Sequence, residues 1–556
     1  MMVKSGKDGY SIQKVWAEAK IRINLNTSFL KSLIKQTGYS EMKIKILVAT
    51  AITGLIFSTC QVNNSTQNSE STIQFHLLGK VTHKTSNQIS NSYWGVQAGS
   101  LSDSILKKAA ELGVKWTRLH AKWEEIEQVK GIYSWNETDE AFDAVLKYGI
   151  TPFVTLGNGN ALYSGIGSYD DPKLADIYGT SPAPPTTDEQ SMQAWLAFVE
   201  QTVGRYKNKI NHWEIWNEPN HRKFWGAEPN ATDYGRLVKV TAEKIREIQP
   251  GAIIIAGSMA GMHANYADEF LSACDPINLD VISFHNYSAL PEDRIYRFTN
   301  FYEAIQKHNP ELEIWQGECG YPSHSRTTGY RGRAPWGLNI QAKWLLRQAF
   351  VDTYFCKATL SNYFILSHSG DTTPEPRNYE FTGIDTILGY PERGGNRLYA
   401  EGVNQKCILF REDASPKPAF MAYRNLCAVM DDKYKIFITD YEIEVVDEGV
   451  FYGIGNYEDA YPSVPLATSY KTENNQSLIA YWLPWNPQED ITAFAKINLT
   501  LNDIYFENPV LINLLNGNIF EIENSSQNEN RSTFGNLPLS DSPFLIAEKS
   551  LIDYRN

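Results

Sequence analysis

Two glutamates carry residue types and spacing that could do chemistry. Glu218 lies in Trp216-Asn217-Glu218-Pro219-Asn220 and Glu318 in Gly317-Glu318-Cys319-Gly320, 100 residues apart, each directly after a short apolar run. Cleaving a glycosidic bond needs two carboxyl groups. One protonates the leaving oxygen, and the other stabilises or attacks the anomeric carbon of an oxocarbenium-like transition state. A pair about 5–5.5 Å apart acts with retention through a covalent intermediate. Near neutral pH the acid must keep its proton while the nucleophile stays ionised. The expectation is that the neighbouring anion raises the acid, while basic and hydrogen-bonding neighbours hold the nucleophile down.

Such a pair has to be positioned by elements whose ends converge. From residue 92 the chain alternates strand-like runs (SYWGVQAG, KWTRLHAKW, ITPFVTLGN, HWEIWNEPN, AIIIAGSMA, DVISFHNYS, LEIWQGECG, NYFILSHSG) with helical patterns such as DSILKKAAELG and DYGRLVKVTAEKIREIQP. Eight strands interleaved with helices predict parallel pairing and closure into a (β/α)8 TIM barrel over 91–431. No Gly-x-Gly-x-x-Gly follows the first strand, as a dinucleotide-binding open sheet would require. Chemistry on a barrel sits at the C-terminal ends of the strands. Glu218 ends the fourth strand and Glu318 the seventh, so they can face each other across the mouth. After about residue 432 the pattern changes to strand-like pieces with Asn-Gly and Pro-rich turns, which predicts a C-terminal antiparallel β-sandwich over 432–556. Its expected role is structural, with sugar binding as the alternative.

The strand-end motifs Trp-Asn-Glu-Pro-Asn and Gly-Glu-x-Gly resemble clan A of the retaining glycoside hydrolases. Within it, Ile-Trp-Asn-Glu-Pro-Asn followed by DYGRLVKVTAEKIREIQPGAIIIAG is similar to family 39, the β-xylosidases, α-iduronidases and related exopolysaccharide hydrolases. The resemblance runs from about 92 to 430. It implies Glu218 as acid/base, Glu318 as nucleophile and Asn217 as hydrogen-bond partner of the sugar 2-hydroxyl. It also implies that His285 and Tyr287, at the end of the sixth strand, lie beside the nucleophile, and that Arg118 sits below it. An inward Arg118 needs an anionic partner, because a buried unpaired charge is costly. His120 and Trp123 follow along the second strand and its exit, and Asn158 ends the third. All three are candidates for lining the sugar subsite, and each could equally be a wall residue. The eighth strand lacks the Trp platform common in the clan, and Trp336 is its candidate replacement. Arg326, Arg331 and Arg333, with His324, follow Glu318 closely and could hold a uronate or sulfate through bidentate contacts. A solvated loop with surface ion pairs is the alternative.

Composition bounds the rest. The 556 residues are 42% hydrophobic and 21% charged, which is globular. A net charge of −13 argues against nucleic acid held by an overall basic surface. Aromatics reach 12%, suited to stacking on sugar rings but also to β-rich cores. Met42, Lys43 and Lys45 precede an apolar run from Ile46 to Phe57, too short to span a bilayer and shaped like an export signal. The run ends at Cys60 and resembles a bacterial lipoprotein signal, with Phe57 and Thr59 departing from the usual residues. The expectations are a mis-annotated extension over 1–41, a signal over 42–60, lipidation and membrane anchoring at Cys60, and a polar tether over 61–90 ending in a strand that joins the sandwich. The other five cysteines have no Cys-x-x-Cys spacing, so neither a disulfide framework nor a zinc site is indicated, and a Cys407–Cys427 pair is left open.

The reading is an exported, retaining glycosidase of β-linked glycans that uses no cofactor and no metal. The alternatives are an endo-acting clan A glycanase of another family and a noncatalytic glycan-binding lipoprotein on the same scaffold. Keeping both glutamates argues against the latter, since binding alone needs no such pair.

Overall fold

The computed structural model describes residues 75–167, 181–288, 290–323, 337–367, 406–410, 413–447, 464–484, 487–489, 491, 495–528 and 530–555, all within one compact unit. The expected extension 1–41 and leader 42–60 with Cys60 lie outside the described residues. So do His324, Arg326, Arg331, Arg333 and Trp336.

Strand β1 (Leu77–Val81) precedes the barrel. The barrel strands are β2 (Trp94–Val96), β3 (Trp116–Ala121), β4 (Thr151–Leu156), β5 (His212–Ile215), β6 (Ile253–Ala260), β7 (Val281–His285), β8 (Glu313–Cys319) and β9 (Ala358–Tyr363). Each pairs in parallel with its neighbours, and β9 returns to β2 to close the ring. Seven of the eight fall within the runs expected to form strands, whereas β9 begins four residues before the eighth run and shares only Asn362 and Tyr363 with it. The long helices between and after them are α1 (Asp103–Leu112), α2 (Asn136–Lys147), α3 (Glu189–Tyr206), α4 (Ala231–Ile248), α5 (Ala264–Ala273), α6 (Asp293–His308), α7 (Leu338–Phe350) and α8 (Pro418–Val429). Their ends follow local chemistry. α1 stops at Gly113 in the left-handed region, α4 is capped by Asn230 accepting from the Asp233 amide, and α8 opens on Pro418.

The barrel interior changes character along its axis. At the N-terminal ends of the strands Phe153, Ile255, Val281, Trp315 and Leu360 form a closed apolar plug with Trp116 and Ile253. Nearer the C-terminal ends the buried residues are polar: Arg118, Thr155, Glu214, Ser258, Ser283 and Asn362. The plug seals one end, so chemistry is confined to the other.

The other strands of the described residues form two antiparallel sheets. The smaller joins β11 (Tyr441–Asp447), β14 (Ala495–Asn502), β18 (Arg531–Leu539) and β17 (Ser525–Asn528). The larger joins β10 (Lys435–Ile436), β12 (Leu466–Lys471), β13 (Ser477–Trp482), β19 (Phe544–Glu548), β15 (Pro509–Asn513), β16 (Asn518–Glu521), β1 and β20 (Tyr554–Arg555). The end of the expected tether is therefore a sandwich strand, β1, paired with β16 and β20. The sheets enclose their own core around Ile479, Tyr481, Ile497, Leu499, Phe534 and Ile546.

Candidate active site

Strand ends deliver the two glutamates by unlike means. After β5 the chain turns with Trp216 at φ 69° and Glu218 at φ 45°, a left-handed backbone that non-glycine residues rarely adopt. Such strain persists where surrounding contacts enforce it, often at functional sites. Here the Trp216 indole is clamped between Trp195 and Trp225 and donates to the Phe224 carbonyl at 3.0 Å. The Glu218 amide donates to the Ser258 carbonyl at 2.9 Å. At β8 the register shifts between Gln316 and Cys319, where Glu318 enters the mouth. Gly317 beside it leaves no room for a side chain, since a Cβ would lie 2.4 Å from Ser283 Oγ and 3.2 Å from His285 Nε2.

Arg118 is the hub. Fully buried, it donates Nη1 to Glu318 Oε2 at 3.0 Å, Nε to Glu214 Oε2 at 2.7 Å, and Nη2 to Asn217 Oδ1 and Ser258 Oγ at 2.9 Å each. Thr155 also donates to Glu214 at 2.7 Å. Tyr287 donates its hydroxyl to the other oxygen of Glu318 at 2.6 Å. Burial and the Glu318 charge hold that phenol far above its ordinary value, so it remains a donor. A bulge in β6 at Gly257 and Ser258 turns the Ser258 hydroxyl towards both Arg118 and His285. His285 Nδ1 lies 3.0 Å from Glu218 Oε1 and its Nε2 3.2 Å from Ser258 Oγ. One oxygen of Glu218, a His285 ring nitrogen and one oxygen of Glu318 all lie within 4.8 Å of one another. Three such ligand types could hold a metal ion. Both Glu318 oxygens, however, already accept from Arg118 and Tyr287.

His285 lies within 4.8 Å of Glu318 and makes its hydrogen bond to Glu218. Two expectations need correction. Trp123 lines no subsite: it is fully buried, its ring stacks on Tyr163 and Phe198, and its indole donates to Glu127 at 2.7 Å. It braces the loop after β3. The acid candidate is not raised either. Burial pushes Glu218 up, but the His285 hydrogen bond and charge, with His221 and Arg118, outweigh it and set the carboxyl below its ordinary value. The charge of Glu318, expected to raise it, is met by Arg118.

His120 and Asn158 are half-buried at the ends of β3 and β4. Burial, then Arg118, Lys122 and His285, drive His120 well below its ordinary value, so it stands neutral. The residues missed at sequence level are Glu214, Ser258, Phe364 and Lys406. Phe364 meets Tyr287 edge-on at 6.4 Å, at the strand end where the expected Trp is absent. Lys406 Nζ lies 4.7 Å from the Tyr287 ring and 5.6 Å from that of Phe364. Glu214 carried a signal, a charge in the middle of an apolar strand.

Residues 97–315 match the family model of Glycosyl hydrolases family 39. The β-xylosidase of Geobacillus stearothermophilus is 25% identical over 191 residues, covering 33% of this chain and 36% of that protein. The β-xylosidase of Caldicellulosiruptor saccharolyticus is 27% identical over 241 residues, covering 39% and 47%. The matches thus span less than half the length of either curated relative. Among solved structures, a family 39 glycoside hydrolase from the gut symbiont Bacteroides cellulosilyticus WH2 superposes with a TM-score of 0.56 at 18% identity, covering 84% of this chain and 83% of the other. At that identity the likeness speaks for the fold. The motifs, the sequence match and the barrel agree: residues 97–315 resemble glycosyl hydrolases family 39, and the described residues share the fold of a family 39 structure.

Proposed function

We propose that the protein is a retaining glycosidase of β-linked glycans. The observation that carries this is the approach of Glu218 and Glu318 to within 4.8 Å, with Glu318 held by Arg118 and Tyr287. That spacing is of the retaining kind and leaves no room for a water between the carboxylates. In the first step Glu318 attacks the anomeric carbon, the glycosidic C–O bond breaks, and Glu218 gives its proton to the departing oxygen. In the second, Glu218 takes a proton from water, whose oxygen displaces Glu318 from the sugar. Asn217, its carbonyl oxygen anchored by Arg118, has its amide N–H groups to offer the sugar 2-hydroxyl. The names of the curated relatives favour a β-xyloside as the first probe.

The finer reading is an anionic glycan. Arg326, Arg331 and Arg333 support it from the sequence, and Lys406 adds a cation beside Tyr287 and Phe364. Export through 42–60 with a lipidated Cys60 belongs to the same reading. Fatty-acid labelling that Cys60→Ala abolishes is its check.

The mechanism is tested by Glu318→Ala on aryl β-glycosides, neutral and uronic. The variant should lose about 10⁴-fold or more in kcat and recover with azide, giving a glycosyl azide of inverted configuration. Full activity in the variant would sink the nucleophile assignment. Wild-type preference for neutral glycosides would remove the anionic reading alone.

A further inference from the structure

The sandwich and the nucleophile are joined by a continuous chain of buried polar contacts. Next to Glu318, Cys319 is fully buried on the helix side of the strand, packed with Leu290, Ile340 and Trp344. There Cys319 Sγ accepts from Arg294 Nη2 at 2.7 Å and donates to the Asn286 carbonyl at 3.3 Å. Burial pushes this thiol up to about 12, so it keeps the proton that the second bond requires. The Cys319 carbonyl accepts from Gln348 at 3.3 Å. Arg294 is paired with Asp352, which also accepts from Ser361 at 2.8 Å. Arg294 and Asp352 are both fully buried. The grip on Cys319 thus comes from two helices, α6 through Arg294 and α7 through Gln348.

Those two helices are tied to each other and to the sandwich. Glu292, at the start of α6, accepts from Arg347 of α7 at 2.8 and 2.7 Å, and from the Trp482 indole of β13 at 2.8 Å. Lys343 of α7 pairs with Asp541 of the sandwich at 2.7 Å, both fully buried. Glu489 accepts from the Asn339 amide at 3.1 Å and the Ile340 amide at 3.3 Å, at the first turn of α7. A sandwich serving only to bind glycan or to cover apolar surface has no need of buried charges at this seam. Their desolvation is costly and is repaid only by fixed geometry.

We infer that the sandwich is a positioning element for the nucleophile: Trp482 and Asp541 fix α6 and α7 through Glu292, Arg347 and Lys343, and these helices hold Cys319 so that the Glu318 carboxylate stays between Arg118 and Tyr287. Trp482, Asp541 and Arg294 are positioning residues and touch no substrate. The inference rests on Glu318 being the nucleophile.

The test is Trp482→Phe, which removes the N–H donor and keeps an aromatic side chain. The readout is the first-order rate constant for trapping Glu318 with a 2-deoxy-2-fluoro-β-glycosyl fluoride of whichever sugar the wild type accepts. A loss of folded protein lowers the number of sites labelled but not this rate constant. Trp482→Phe and Cys319→Ala are expected to slow trapping about tenfold with the inhibitor Ki changed by less than about twofold, and Cys319→Ser, which keeps a donor and an acceptor, to recover most of it. Asn425→Ala, which breaks contacts of α8 with His83 and the Leu514 carbonyl elsewhere on the seam, should lower Tm and leave the rate constant alone. A folded Trp482→Phe that is trapped at the wild-type rate overturns the inference. So does a slowing by Asn425→Ala equal to that by Trp482→Phe, which would make the effect general loosening. A wild type that no such fluoride labels overturns the catalytic reading, and this inference with it.

Discussion

Glu318 is held by Arg118 and by Tyr287, whose phenol burial keeps far above its ordinary value, whereas Glu218 is held by His285, with His221 nearby, which bring its carboxyl below the ordinary value against the effect of burial. The backbones differ in the same sense. Glu318 sits in a strand, with the next residue gripped by two helices, while Glu218 stands on a left-handed turn held by a Trp cluster. One half of the site is built to stay the same and the other to exchange a proton. That is the division a double displacement asks of its nucleophile and its acid/base.

The fixed half breaks most severely at its hub. Arg118→Met removes the cation at Glu318 and leaves Glu214 buried without its partner. Stripping one member of a buried pair costs about 3–5 kcal/mol. The variant should lose that much in urea unfolding and about 10³-fold or more in kcat/KM. Adding Glu214→Leu should recover much of the stability and none of the rate. Recovery of both would mean that Arg118 serves the fold alone.

How far the sequence exposed this arrangement follows from what each contact depends on. Glu218, Glu318, Arg118 and Tyr287 lie at strand ends or on an alternating strand, where position in the barrel dictates direction, and all four stand where the motifs place them. Trp123 is two residues past a strand end, where direction depends on packing. Its ring went into the core with Tyr163 and Phe198, and no local pattern distinguishes that from the rim. His285 and Ser258 meet because a bulge in β6 breaks alternation, which a reading of period two cannot anticipate. The seam of Glu292, Arg347 and Trp482 joins residues up to 190 positions apart and leaves no trace in local spacing. β12, in Leu466–Lys471, has too few apolar residues to announce itself, and its place in the sheet comes from pairing with β13.

The finest test sets one donor from each half against the other. Tyr287→Phe removes a fixed hydrogen bond to Glu318 and should lower kcat about 10²-fold, leaving the basic side of the pH profile where it was, because no group near Glu218 has changed its charge. His285→Asn should cost less in rate, about tenfold, and act on the profile instead. The sign follows from the causes acting on Glu218. Burial raises its carboxyl, and the hydrogen bond and charge of His285 are the main influences bringing it below the ordinary value. With His285 gone, burial prevails and the carboxyl keeps its proton to higher pH. Glu218 must be protonated to assist departure of the leaving group, so the fall of kcat/KM on the basic side should move to higher pH. The contacts of Glu318 with Arg118 and Tyr287 are untouched by this change. A basic side that moves downward in His285→Asn, or that moves equally in Tyr287→Phe, would mean that the two halves titrate as one coupled unit and that the division between fixed and exchanging groups does not hold.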